Sequence, residues 1–143
     1  MKKEQDIGLS RGGKNTKIHA VVDGLGNPVR LIFTSGEVND SKSGIPLLEG
    51  FDISHSAVLG DKAYGTVQLL TYVRNAGAEV VIPPKSNAKN PWNCDYYRYK
   101  ERHLVECFFN KIKHYRRIAT RYDKLSSMFQ AFVYLAAIVL WLK

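Results

Sequence analysis

The first regular pattern in the chain has a period of two. Between Thr16 and Asp23, Ile18, Ala20 and Val22 alternate with Lys17 and His19, as in a strand with one face against a core. A second β-rich run, Val29 to Thr34, follows Asp-Gly-Leu-Gly-Asn-Pro. The glycines suit a tight reversal, so the two runs predict a hairpin with Asp23 in its turn. Residues 40 to 49 predict a short helix capped by Asp40 or Ser41, with Ile45, Leu47 and Leu48 on its apolar side. Ala57-Val58-Leu59 is an unbroken apolar run ending at Gly60-Asp61. That is the pattern of a strand covered on both faces, and it puts Asp61 at the strand's carboxyl end. From Thr66 the spacing is helical, with Val67, Leu70 and Val73 on one side and Gly77 as the stop; Glu79 to Ile82 then read as a strand ended by Pro83-Pro84. Strand, helix and strand within about 25 residues imply a parallel βαβ unit.

A polar, proline-containing loop spans 85–95, and helical spacing runs from there to the end. Leu104, Cys107, Phe108 and Ile112 recur at three- and four-residue steps, and Met128 to Leu142 is almost wholly apolar. The latter run falls short of the roughly 20 residues of a membrane span and Gln130 interrupts it, so a buried core helix is expected. A chain of 143 residues, 45% hydrophobic and 24% charged, reads as one globular domain. Its parts are a basic, flexible segment at 1–15, a sheet region at 16–84, the loop at 85–95 and helices at 96–143. The first residues carry lysines with no apolar run behind them, which is neither a secretory signal nor a membrane anchor, so the cytosol is the expected compartment.

The net charge of +8 is unevenly distributed. Residues 98–124 hold nine Lys or Arg against three acids, and residues 1–17 hold five against two, so these segments carry +6 and +3 and the other 99 residues sum to −1. A basic excess confined to two segments fits a protein lying against a phosphate backbone, and it also fits a solvated basic helix face. Cys94 and Cys107 show neither zinc spacing nor a disulfide framework and read as free thiols. His19, His55, His103 and His114 lack metal-ligand spacing and read as ordinary surface or core residues.

Read as one helix at about 100° per residue, Tyr99, Arg102, Glu106 and Lys113 fall at roughly 0°, 300°, 340° and 320°. They share a stripe about 60° wide, and the core-type Leu104, Phe108 and Ile112 point elsewhere. One explanation is an exposed Arg102-Glu106 pair worth roughly 0.3 to 0.5 kcal/mol, with the other two placed by chance. The other is chemical. Glu106 would hold a divalent cation beside a DNA phosphate, Arg102 and Lys113 would contact phosphate oxygens, and Tyr99 would pack on the backbone or a base. That reading needs a second carboxylate. Asp61 is the candidate, because functional groups in open α/β sheets collect beyond the carboxyl ends of strands; an Asp just before a helix is also an ordinary cap.

The segment YKERHLVECFFNKIK, residues 99 to 113, carries Y-x2-R-x3-E-x6-K in full. It resembles the signature around the catalytic glutamate of bacterial insertion-sequence DDE transposases. GDKAYG at 60–65 resembles the block around their second aspartate, although Gly65 stands where Asp-Ser or a similar pair more often follows the tyrosine. SRGGKNTKIHAVVDGLGNPVR, VIPPK and RRIATRYDK extend the resemblance from Gly8 to Lys143. It implies an α/β fold of ribonuclease H-like type, a mixed sheet flanked by helices with acidic residues on the first and fourth strands and on a later helix. Asp61 would be the second carboxylate and Glu106 the third, both metal ligands and catalytic. Tyr99, Arg102 and Lys113, with Lys100, Arg116 and Arg117, would contact DNA. The implied cofactor is Mg²⁺ or Mn²⁺: two ions about 3.5 to 4 Å apart activate a nucleophile and stabilise the leaving oxygen of a phosphodiester. The implied partners are double-stranded DNA, both terminal inverted repeats and target, and further copies of the chain when active, in a nucleoid-associated cytoplasmic setting with no membrane.

The family's first aspartate lies in an Asp-Ser-Thr type block upstream of Ser10-Arg11-Gly12-Gly13, and this chain has no such block. The resemblance therefore implies an N-terminally truncated core lacking the first strand, which sits mid-sheet between the second and fourth. Three outcomes are open: the downstream portion of a split transposase whose first aspartate comes from an upstream product, an inactive remnant, or a non-catalytic DNA-binding inhibitor of full-length transposase. The first predicts an overlapping upstream reading frame encoding an Asp-Ser-Thr strand. Reading the flanking DNA checks it, and unrelated sequence there removes it.

Overall fold

The computed structural model describes the backbone of residues 16–119 and 126–142 and the side chains of 16–115 and 130–142. The expected flexible segment at 1–15 and the side chains of RRIATRYDK lie outside the described residues. The elements in order are β1 (Thr16–Val22), β2 (Pro28–Ser35), a 3-10 turn (Asp40–Ser43) leading into α1 (Gly44–Leu48), β3 (Ala57–Leu59), a 3-10 turn (Lys62–Tyr64), α2 (Val67–Asn75), β4 (Glu79–Val81), α3 (Tyr96–Tyr99), a 3-10 turn (Lys100–Arg102), α4 (His103–Ala119) and α5 (Ser126–Leu142). The class is α/β. The chain divides into two compact units, Met1–Val38 with Leu104–Lys143, and Asn39–His103. The described strands form two two-stranded sheets, β1-β2 and β3-β4, with no single mixed sheet among them.

In the first unit, β1 and β2 form the expected antiparallel hairpin, pairing Ile18 with Phe33 and Ala20 with Leu31. Asp23 closes its turn by accepting hydrogen bonds from the Leu25 and Asn27 amides at 2.9 Å each. Gly26 there has φ +87°, a conformation open to glycine and strained for most other residues. The core joins Ile18 and Leu31 to Phe108, Phe109 and Ile112 of α4 and to Val133, Ala136 and Ala137 of α5. Phe33 packs against this cluster and meets Tyr134 edge-on, with ring centroids 5.6 Å apart. His19, on the opposite face of β1, is only 2% exposed, with Nε2 hydrogen-bonded to Thr34 Oγ1 at 3.0 Å. A neutral imidazole tolerates burial when a hydroxyl meets it.

The second unit contains the parallel pair. β3 and β4 register Ala57 with Glu79 and Leu59 with Val81, and α2 makes the crossing. Thr66 caps α2 by accepting from the Leu69 amide at 3.1 Å, and Gly77, at φ +80°, stops it.

Four expectations need correction. The cap of the first turn is Asn39, whose side chain accepts from the Ser41 amide at 3.2 Å; Asn39 is still extended, so Asp40 already lies inside the turn. Val67 is 75% exposed because it opens α2 on the solvent side, and the buried face is Leu69, Leu70 and Val73. β3 is partly buried at all three positions, not covered on both faces. The last helix is not buried all round: it turns Val133, Ala136 and Ala137 inward and leaves Leu135, Ile138 and Leu142 exposed. Those three recur at i, i+3 and i+7 and so form one apolar stripe. Among the described residues no helix is long and apolar enough to cross a membrane.

Phe109 is 0% exposed within the core cluster and Leu142 is 82% exposed. Phe109→Ala should therefore destabilise the chain by about 3–5 kcal/mol, and Leu142→Ala should stay within about 0.5 kcal/mol of the parent. Urea titrations followed by circular dichroism measure both.

Candidate functional site

Asp61 stands two residues beyond the end of β3, after Gly60. Its backbone is extended, and its Oδ1 accepts the Ala63 amide at 2.8 Å, so it caps the 3-10 turn 62–64. The ordinary role of an Asp before a helical turn is thus filled, and it occupies one carboxylate oxygen. Oδ2 has no partner among the described residues, and the residue is partly exposed. The turn is anchored by Tyr64, 8% exposed, whose amide donates to the Asp61 carbonyl at 3.0 Å.

Gly65, the departure from the expected block, has a local reason. A Cβ there would lie 3.1 Å from Trp92 Cζ2 and 3.3 Å from the Lys62 carbonyl oxygen. The indole is itself fixed, with Nε1 donating to the Ile82 carbonyl at 2.7 Å.

The stripe expected from Tyr99 to Lys113 does not lie on one continuous α-helix. The 3-10 turn Lys100–Arg102 separates α3 from α4, and the boundary between units falls after His103. On one side of it, the Arg102 guanidinium lies 5.7 Å over the Tyr99 ring centroid and the Lys100 ammonium 5.5 Å over that of Tyr97. Asp95 starts this segment by accepting from the amides of Tyr97 and Arg98, at 3.1 and 3.2 Å. On the other side, Glu106 and Lys113 are partly buried on α4. Their seven-residue spacing puts them within roughly 20° of one face, about 10 Å apart along the axis. Arg116 and Arg117 belong to α4, but their side chains lie outside the described residues.

Both carboxylates are hard oxygen donors of the kind that suits Mg²⁺, and Oδ2 of Asp61, without a partner among the described residues, fits a single-oxygen ligand. Among the described residues no three His, Cys, Asp or Glu gather into a metal-holding group. Cys94 and Cys107 are free thiols; burial, and then the neighbouring Asp95 carboxylate, pushes the Cys94 thiol up from its ordinary value. Spacing arguments overlooked Tyr96 and Tyr97, although the aromatic-basic run YYRYK was visible in the sequence.

The family model of the transposase DDE domain matches residues 2–142. The chain belongs to this family. It is also 39% identical, over 132 residues, to a putative transposase for insertion sequence element IS6501 of Brucella ovis; the match covers 90% of this chain and 98% of that one. The chain matches no solved structure. Among insertion-sequence DDE transposases, then, this one has GDKAYG where Asp61 caps a turn and Gly65 lies under an indole.

Two substitutions separate Asp61's capping role from any role of its charge. Asp61→Asn keeps a cap oxygen and should hold stability within about 0.5 kcal/mol, whereas Asp61→Ala should lose about 1 kcal/mol. Gly65→Ala should destabilise by about 1–3 kcal/mol and shift Trp92 emission in a Trp141→Phe background. An unmoved emission would contradict the contact.

Proposed function

We propose that the chain cleaves DNA and transfers strands as the downstream portion of an insertion-sequence transposase, with Asp61 and Glu106 as two of its three metal-binding carboxylates. The observation that carries this reading is Asp61: a carboxylate just beyond the end of a parallel strand, one oxygen capping a turn and the other without a partner among the described residues. Membership of the transposase DDE domain family supports it. Divalent ions, Mg²⁺ or Mn²⁺, would supply a polarised nucleophile and a stabilised leaving oxygen. Asp61 is held by its cap bond in one orientation, which lowers the entropy lost on binding a ligand. Glu106 offers its carboxylate from the first turn of α4, and Lys113 offers a cation two turns further along. Tyr99, Arg102, Lys100, Arg116 and Arg117 are the further residues assigned to double-stranded DNA, at the terminal inverted repeats and at the target. Further copies of the chain complete the assembly that acts on two ends.

The chain has no Asp-Ser-Thr block, so the first aspartate is assigned to an upstream product, fused or paired. The sheet pattern is compatible. In a ribonuclease H-like fold the first strand lies between the second and fourth, which correspond here to β1 and β3. An antiparallel β1-β2 pair within one unit and a parallel β3-β4 pair within the other are pairings of the kind that fold contains.

The test is cleavage of terminal inverted repeats by purified chain, with and without the upstream product. Cutting should need that product and Mg²⁺ or Mn²⁺, and EDTA should stop it. Asp61→Asn and Glu106→Gln should each reduce cutting by more than the roughly 10–100-fold that loss of an outer partner of a metal costs. Cleavage by the chain alone, or full activity in Asp61→Asn, overturns the assignment. A second reading, an inactive remnant or a non-catalytic DNA-binding inhibitor of full-length transposase, draws on the exposed stripe Leu135, Ile138 and Leu142. It predicts no cleavage with any upstream product, with salt-sensitive DNA binding retained in the inhibitor case.

A further inference from the structure

Residues 95–103 carry tyrosines at 96, 97 and 99 and cations at 98, 100 and 102. Residues three apart in a helical turn lie over one another, and the side chains here pair at that spacing. The rings of Tyr96 and Tyr99 meet edge-on at 6.2 Å and 80°, Lys100 lies over Tyr97 at 5.5 Å, and Arg102 lies over Tyr99 at 5.7 Å. The outer two rings are nevertheless left in water: Tyr96 is 59% and Tyr97 73% exposed, and neither hydroxyl has a partner among the described residues. Their placement is firm. Asp95 caps the turn, and Arg98 pairs with Glu79 on β4, tying α3 to the parallel sheet of its own unit.

The geometry points to Tyr96 and Tyr97 as a stacking platform for unpaired DNA bases, with Lys100 and Arg102 placed for the phosphates between them. Exposed rings beside cations are the recognition chemistry of single strands: every base has a π-face, and the cation meets the backbone. A duplex hides those faces in its own stack, so the platform takes bases that the enzyme, or the end of the element, has unpaired. Glu79 is paired with Arg98; of the other acids here, Asp95 caps two amides and Glu101 is exposed between Lys100 and Arg102, against three cations at 98, 100 and 102. The surface deepens the DNA-acting reading of the chain, but it does not rest on Asp61 or Glu106 holding metal.

Anisotropy of a short dye-labelled oligothymidylate, titrated with the full chain in EDTA, tests it. One stacked base corresponds to at least about 5-fold in affinity. Tyr96→Ala/Tyr97→Ala should therefore weaken single-strand binding by about 10-fold or more and leave duplex binding within about 2-fold. Tyr96→Phe/Tyr97→Phe keeps the rings and should bind as the parent does. Three results overturn the platform: a parent chain that does not bind the oligonucleotide, an alanine variant that binds it as well as the parent, or a variant that loses single strand and duplex alike. The first two would leave the rings to a protein or lipid surface. Because the measurement excludes metal, failure of cleavage and failure of stacking are separate results.

Discussion

Two parallel strands cannot be closed by a tight turn, and that constraint organises the unit Asn39–His103. β3 and β4 are three residues each, too short to be stable on ladder bonds alone. The crossing helix supplies the burial they lack: it packs against β4, and its Leu69, Leu70 and Val73 are 3%, 4% and 0% exposed. To start that crossing the chain must leave β3 at its carboxyl end and change direction at once. Gly60 and Asp61 are where it does so, and an extended residue with a short acceptor side chain is what such a departure needs. The position of the carboxylate is thus a product of topology, reached before any chemistry is considered.

The features legible in the sequence were those with a short, local cause. Period-two alternation around a Gly-rich reversal led to the hairpin, and an apolar run, a helical stretch and a second run led to the βαβ unit. What was not legible depended on phase. Asn39 and Asp40 are both good caps, and only the backbone angles distinguish them. Val67 has an apolar side chain but opens its helix on the solvent side, so burial passed to Leu69. The predicted stripe assumed 100° per residue throughout, and the 3-10 turn at Lys100–Arg102, which holds Arg102 and follows Tyr99, breaks that assumption. The sequence leaves His19 open between surface and core, because strand alternation says which face a residue takes and nothing of what packs there, and it proves buried.

The candidate site was legible through motif resemblance more than through periodicity, and the fold adds a physical account of its parts. Asp61 combines a structural duty with an oxygen that has no partner among the described residues, so the bland and the functional explanation of that residue are not rivals. The basic excess of residues 98–124 likewise has a local form at two of its cations: Lys100 and Arg102 lie over aromatic rings, which holds long side chains in place. Glu106 and Lys113 belong to a different unit from Tyr99 and Arg102, so one sequence signature draws on two separately packed bodies.

Gly65 and Trp92 carry a consequence for descent. With a Cβ at 65 only 3.1 Å from the indole and 3.3 Å from a carbonyl, each residue sets the size allowed to the other. A lineage in which position 65 gained a side chain needs the ring at 92, and the backbone at 62, to give by a few tenths of an ångström. The two positions, 27 apart in the chain, are thus expected to covary among relatives, with a small residue at one accompanying a bulky residue at the other.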